Sequence, residues 1–114
     1  MKVLAIHWQE EVLRKIEDTL SPPKWYVRSM TNGLDALLSA RAEQYDLIFC
    51  CLNLPVVTGI EFARSVRNLS ANRNTPIIFL SDGGETEGER ELLSRLRADW
   101  LTLEEISSLK DLKI

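Results

Sequence analysis

Paired cysteines, charge of one sign and long apolar runs are what this 114-residue sequence has least of. Its only cysteines, Cys50 and Cys51, are adjacent inside an apolar run. They build no disulfide framework, and nothing in the chain has zinc-site spacing. That usage fits a reducing, cytoplasmic compartment. The 17 acidic residues stand against 14 basic ones, a net charge of −3. Such near balance lacks the electrostatic footprint of non-specific nucleic-acid or anionic-membrane binding, so neither partner is expected. No stretch approaches the ~18 apolar residues of a membrane span, and Val3 to Ile6 is too short for a signal-peptide core. Asp82-Gly83-Gly84 lacks the spacing and following lysine of a phosphate loop. Repeats, low-complexity tracts and linkers are also missing. What is present, 45% apolar and 27% charged residues, is the composition of an ordinary globule, expected to form one domain over residues 1–114.

Short apolar or β-branched runs predict strands at Lys2 to His7, Trp25 to Met30, Asp46 to Leu52 and Pro76 to Ser81, with a fifth at Trp100 to Leu103. Helical periods fill the intervals. From Gln9 to Leu20 the residues Val12, Leu13, Ile16 and Leu20 paint one face, and Pro22-Pro23 follows as a stop. A second helix runs from Asn32 to about Glu43 with Leu34, Leu37, Leu38 and Ala42 as its buried stripe. Gly33 leaves its start open. A third follows Gly59, with Ile60, Ala63, Val66 and Leu69 inward and Glu61, Arg64 and Arg67 in water. Glu85 to Leu96 is a polar helix anchored by Leu92, Leu93 and Leu96, and Glu104 to Leu112 a last short one using Ile106, Leu109 and Leu112. Strands alternating with helices predict an α/β fold of βαβ units, a parallel sheet with helices on both faces. The unbroken run Leu47 to Leu52 agrees, because a strand covered on both sides has no polar face.

The order of elements and several strings resemble the receiver domain of two-component response regulators. Asp46-Leu47-Ile48-Phe49-Cys50-Cys51-Leu52-Asn53-Leu54-Pro55 with Gly59 is similar to that family's third strand and following loop, Thr75-Pro76-Ile77-Ile78-Phe79-Leu80-Ser81 to its fourth strand, and Arg97-Ala98-Asp99-Trp100-Leu101 to the approach to its fifth. Met1 to Ile6 and Asn32-Gly33 match more loosely. The resemblance implies a flavodoxin-like, doubly wound, five-stranded sheet in the order 2-1-3-4-5, with the site at the carboxyl ends of the strands.

In that family a phosphoryl group moves from a histidine kinase to an aspartate after the third strand. Two carboxylates after the first strand hold Mg²⁺, and a hydroxyl and a lysine bind the phosphoryl oxygens. By the resemblance the aspartate position falls on Cys51, the acidic pair on His7 and Trp8, the lysine on Leu103, and the hydroxyl on Ser81. Glu104 stands where the family usually has a proline and a cis peptide. Only Ser81 keeps the family's chemistry. The expectation is a degenerate pseudo-receiver with no metal, no cofactor and no catalysis, which signals through a protein partner independently of phosphorylation. The resemblance also implies where the partner docks: Trp100, Leu101, Leu103, Leu92 and Leu96, on the face of the fourth helix, fifth strand and fifth helix, with homodimerisation as one form of the contact. Trp100 resembles the family's switch aromatic. The competing expectation is a thiol-based redox sensor using Cys51.

Overall fold

The computed structural model describes residues 1–81 and 83–111, without the side chains of residues 69, 110 and 111. Leu69 as an inward side chain, Asp82 and Leu112 therefore lie outside the described residues. Five parallel strands, β1 (Lys2–Ile6), β2 (Tyr26–Met30), β3 (Leu47–Cys50), β4 (Ile77–Ser81) and β5 (Ala98–Thr102), form one sheet in the order β2-β1-β3-β4-β5. This is the predicted doubly wound topology. α1 (Glu10–Thr19), α2 (Gly33–Ala42), α3 (Gly59–Leu69) and α4 (Glu87–Arg95) supply the crossovers, and a 3-10 helix (Leu103–Asp111) closes the described chain.

Alternation along the strands divides the core in two. Leu4, Ile6, Ile48 and Phe79 face the layer of α2, α3 and α4, against Ala36, Phe62 and Leu93. Val3, Ala5, Phe49 and Leu80 face α1 and the 3-10 helix, against Ile16 and Ile106. Val12, Leu13, Ile16 and Leu20 are buried as their spacing predicts.

Helix α2 departs from expectation. Its buried positions are Gly33, Ala36, Leu37, Ser39 and Ala40, whereas Leu34 and Leu38 are exposed, Leu38 by 53%, and Ala42 is exposed as well. The helix is rotated by about one residue from the stripe of large side chains. Gly33 explains the rotation: a Cβ there would stand 1.9 Å from the Val57 carbonyl oxygen, and its N–H donates to Pro55 O at 3.1 Å. Only glycine allows that approach, and Ala36 and Ala40 follow it at helical spacing. The start is also settled, because the Asn32 side chain accepts from Asp35 N as an N-cap.

In α3 the inward set is Phe62, Ala63 and Val66, with Ile60 half-buried. Arg67 corrects the solvated-face reading. Its guanidinium turns inward and donates to the carbonyls of Leu96, Asn72, Arg73, Thr75 and Arg97. In α4 only Leu93 is fully buried, while Leu92 and Leu96 are half-buried. Strand β5 begins two residues earlier than predicted, at Ala98, and Leu103 opens the 3-10 helix rather than ending the strand.

Candidate functional site

The register of the central strands places their carboxyl ends side by side. Ile6 is opposite Cys50, and Cys50 opposite Phe79. His7 and Cys51 are the first residues beyond β1 and β3, and main-chain bonds continue the ladder through both: His7 N–H to Met30 O and Cys51 N–H to Ile6 O, each 3.1 Å. Gly59 folds the loop after β3 back over this edge. Its N–H donates to Leu52 O at 2.9 Å, and a Cβ there would meet Cys51 O at 2.1 Å.

A cleft of about 250 Å³ opens at this edge, where open α/β sheets hold ligands. His7, Trp8, Cys51 and Leu103 all line it, so four of the five positions singled out in the sequence come together at one cleft. Ser81, the fifth, is buried and reaches the cleft through its bond to the lining residue Glu85. Its hydroxyl donates to Glu85 Oε2 at 2.6 Å and accepts from Gly83 N–H at 3.1 Å. The His7 Nδ1 accepts from Gln9 N–H at 3.0 Å, and the His7 and Trp8 rings stack 6.0 Å apart at 22°. Trp8 itself is 54% exposed.

Sequence reasoning missed the acidic side of the cleft. Glu85 and Glu89 both line it and are half-buried. Glu89 is locatable in hindsight, because Thr86 to Glu89 has the spacing of a capping box. Thr86 Oγ1 accepts from Glu89 N–H, and Glu89 Oε1 accepts from Thr86 N–H. Glu85 carries no comparable signal. No lysine or arginine is among the described residues that line the cleft.

Cys51 is 4% exposed and Cys50 fully buried, and both are thiols rather than halves of a disulfide. Cys51 Sγ lies 3.7 Å from Asn53 O. Burial pushes the Cys50 thiol well up, with Cys51 beside it adding to the shift, so Cys50 stays protonated and inert. Among the described residues no group of three or more histidine, cysteine, aspartate or glutamate side chains is arranged to hold a metal ion.

On the neighbouring face Trp100 is 42% exposed on β5, with the Arg90 guanidinium 5.2 Å over its ring. Leu101 and Leu103 are half-buried against the layer of α1 and the 3-10 helix, and Leu96 packs against the opposite layer. No helix among the described residues is long and apolar enough to cross a membrane.

Comparison with known proteins gives a consistent picture. Residues 3–102 match the family model of the response regulator receiver domain. Response regulator ArlR of Staphylococcus aureus is 29% identical over 85 residues, 75% of this chain and 37% of its own length. The chain thus spans little more than a third of the curated relatives it matches. Chemotaxis response regulator CheY4 of Vibrio cholerae superposes with a TM-score of 0.81 at 26% identity, covering 96% of this chain and 95% of that one. The receiver domain of sensor histidine kinase PA1611 from Pseudomonas aeruginosa, described with a magnesium ion in its active site cleft, superposes at 0.79 and 25% identity, over 96% and 93%.

Proposed function

Because this chain belongs to the response regulator receiver domain family, we propose that it is a phosphorylation-independent receiver that signals through contact with a protein partner. The observation that carries this reading is the chemistry of the cleft: a buried thiol, Cys51, follows β3 at the position that the resemblance assigns to the family's nucleophile, and among the described residues no lysine or arginine lines the walls to bind a phosphoryl group. A thiol offers neither an acyl phosphate nor a hard ligand. His7 and Trp8 follow β1 in place of the acidic pair. Indole only donates, and imidazole prefers softer metals. Magnesium wants oxygen ligands in near-octahedral array, so this donor set does not fit the ion that the family uses.

On this reading residues 1–114 act as one receiver-like domain that is not an enzyme, uses no cofactor, binds no nucleic acid and works in the cytoplasm. The docking face is that of α4, β5 and the 3-10 helix, with the half-exposed Trp100 as its anchor and the half-buried Leu92, Leu96, Leu101 and Leu103 contributing from the elements on either side of β5. Tryptophan and arginine are the side chains most often dominant in such contacts, and here Arg90 and Trp100 lie together. Self-association through this face is one form the contact takes. The redox alternative gains no support from a thiol that is only 4% exposed, since thiol reactivity needs access.

The test is an amide NMR titration with Mg²⁺ and acetyl phosphate, repeated with beryllofluoride. The expected spectrum is unchanged. Saturating shifts centred on Ser81 and Cys51 would overturn the reading.

A further inference from the structure

We propose that the cleft at the carboxyl edge of the sheet receives one arginine side chain of the protein partner, its guanidinium held between the Trp8 ring and the carboxylates of Glu85 and Glu89. This rests on the partner-binding reading above and names the chemistry by which that partner is recognised.

Charge is the first argument. Glu85 and Glu89 are half-buried, and each is oriented by one hydrogen bond, from Ser81 Oγ at 2.6 Å and from Thr86 N–H at 3.0 Å. Neither belongs to any of the four ion pairs among the described residues, and no lysine or arginine is among the described residues that line the cleft. Two partly desolvated carboxylates lining a shared space, with no lysine or arginine of the described residues beside them, attract a cation from outside. The same charges repel phosphates.

The aromatic rings give an independent argument. Tyr45, Trp25 and Trp100 each carry a cation from the same chain, Lys2, Lys24 and Arg90, at 5.4, 5.3 and 5.2 Å. Trp8 is the most exposed of the three tryptophans and lines an acidic cleft, yet among the described residues no cation lies over it. The indole stacks on the buried His7 ring, the centroids 6.0 Å apart at 22°.

Size and position narrow the occupant. At about 250 Å³ the cleft is below the ~300 Å³ at which small-molecule pockets begin, and suits one long side chain. Arginine fits better than lysine, because a planar guanidinium stacks on indole while presenting a fork to carboxylates. The cleft is also continuous with the proposed docking face. Leu103 belongs to both, and Glu89 precedes Arg90, the residue that covers Trp100. A partner seated on that face reaches the cleft with one side chain.

The experiment is a ¹H–¹⁵N titration of the full chain with N-acetyl-arginine methylamide, and in parallel with its citrulline counterpart, which has the same shape and no charge. The arginine probe is expected to shift the Trp8 indole N–H and the Gly84 amide saturably. The citrulline probe is expected to leave both in place. In the variant carrying Glu85→Gln and Glu89→Gln the arginine affinity is expected to fall about tenfold, since charge-assisted bonds become neutral ones. Glutamine still accepts from Ser81 and Thr86 and keeps the capping box, so the variant folds, and unchanged amide shifts elsewhere verify it. Equal shifts with both probes, no shift with either, or undiminished affinity in the variant would each overturn the proposal. Shifts with Mg²⁺ and acetyl phosphate, measured separately, bear only on the phosphorylation-independent reading, so the two failures are distinguishable.

Discussion

The two edges of the sheet use polar side chains in opposite ways. At the amino edge Asn72, fully buried, spends every polar atom of its side chain on its own chain. Nδ2 donates to Ala40 O and Glu43 O, and Oδ1 accepts from Tyr45 N–H and Thr75 Oγ1–H. Arg67 lies nearby with five carbonyl partners, and the Ser39 and Tyr45 hydroxyls share a bond of 2.5 Å. At the carboxyl edge Glu85 and Glu89 make one side-chain bond each and face an open cleft beside an exposed indole. A polar network that is internally saturated holds a fold together, whereas one that is half-satisfied toward solvent has bonds left for a partner.

If that contrast is right, mutations at the amino edge cost stability and leave binding alone, and those at the carboxyl edge do the reverse. The largest expected effect is Asn72→Ala, which strands the Tyr45 N–H, the buried Ala40 carbonyl and the part-buried Glu43 carbonyl and destabilises by about 3 kcal/mol. Urea unfolding measures it, and a loss under 1 kcal/mol would break the contrast. Arg67→Lys comes next at about 2 kcal/mol, because one ammonium cannot span carbonyls at the C-cap of α4, in the following turn and on the approach to β4.

At the carboxyl edge Cys51→Asp sharpens the comparison. Placing an aspartate at this buried position is expected to cost about 1 kcal/mol, from desolvating a carboxylate. It is expected to give no phosphoryl adduct by mass spectrometry after treatment with acetyl phosphate and Mg²⁺. Trp8→Ala is expected to change stability by less than about 0.5 kcal/mol, since the ring is mostly in solvent, yet to abolish the response to the arginine probe.

The smallest effect is a pH dependence at the amino edge. The Lys2 ammonium bonded to Glu43 holds that exposed carboxyl below its usual range, with Arg28 adding to the shift and desolvation opposing it. A depressed folded value means that the contribution is present above the ordinary carboxylate range and is lost as pH falls through the folded value. Unfolding curves of wild type and Glu43→Gln are therefore expected to converge under acid conditions and at high salt. Curves that stay parallel would remove Glu43 from this account.

Much of the fold was legible in the chain. The apolar runs at Val3 to Ile6 and Leu47 to Cys50 are strands as read from their short, unbroken apolar character, and the stripe Val12, Leu13, Ile16 and Leu20 is buried as read. The resemblance to the receiver family implied that Cys51, His7, Trp8 and Leu103 share one edge, and all four line one cleft. Helix α2 was misread because side-chain size suggested Leu34 and Leu38, whereas the close approach of Gly33 to Val57 turned the helix. Arg67 was misread because charge at an outward-looking position predicts solvation, and nothing local announces carbonyls from segments up to 30 residues away. Glu85 was read as the first residue of the polar fourth helix, whereas that helix starts at Glu87 behind the Thr86 cap and leaves Glu85 in the loop that lines the cleft.

The sequence by itself determined which segments extend or coil, their parallel order, and the identity of the side chains at each strand end. Those properties depend on periodicity and on neighbours within a few residues. Only the tertiary structure decided that Arg67 turns inward, that α2 rests on its smallest residues, and that two glutamates line one cleft together with a tryptophan. Such outcomes depend on how closely distant backbones approach and which orphaned polar atoms they bring together, and no local pattern encodes that.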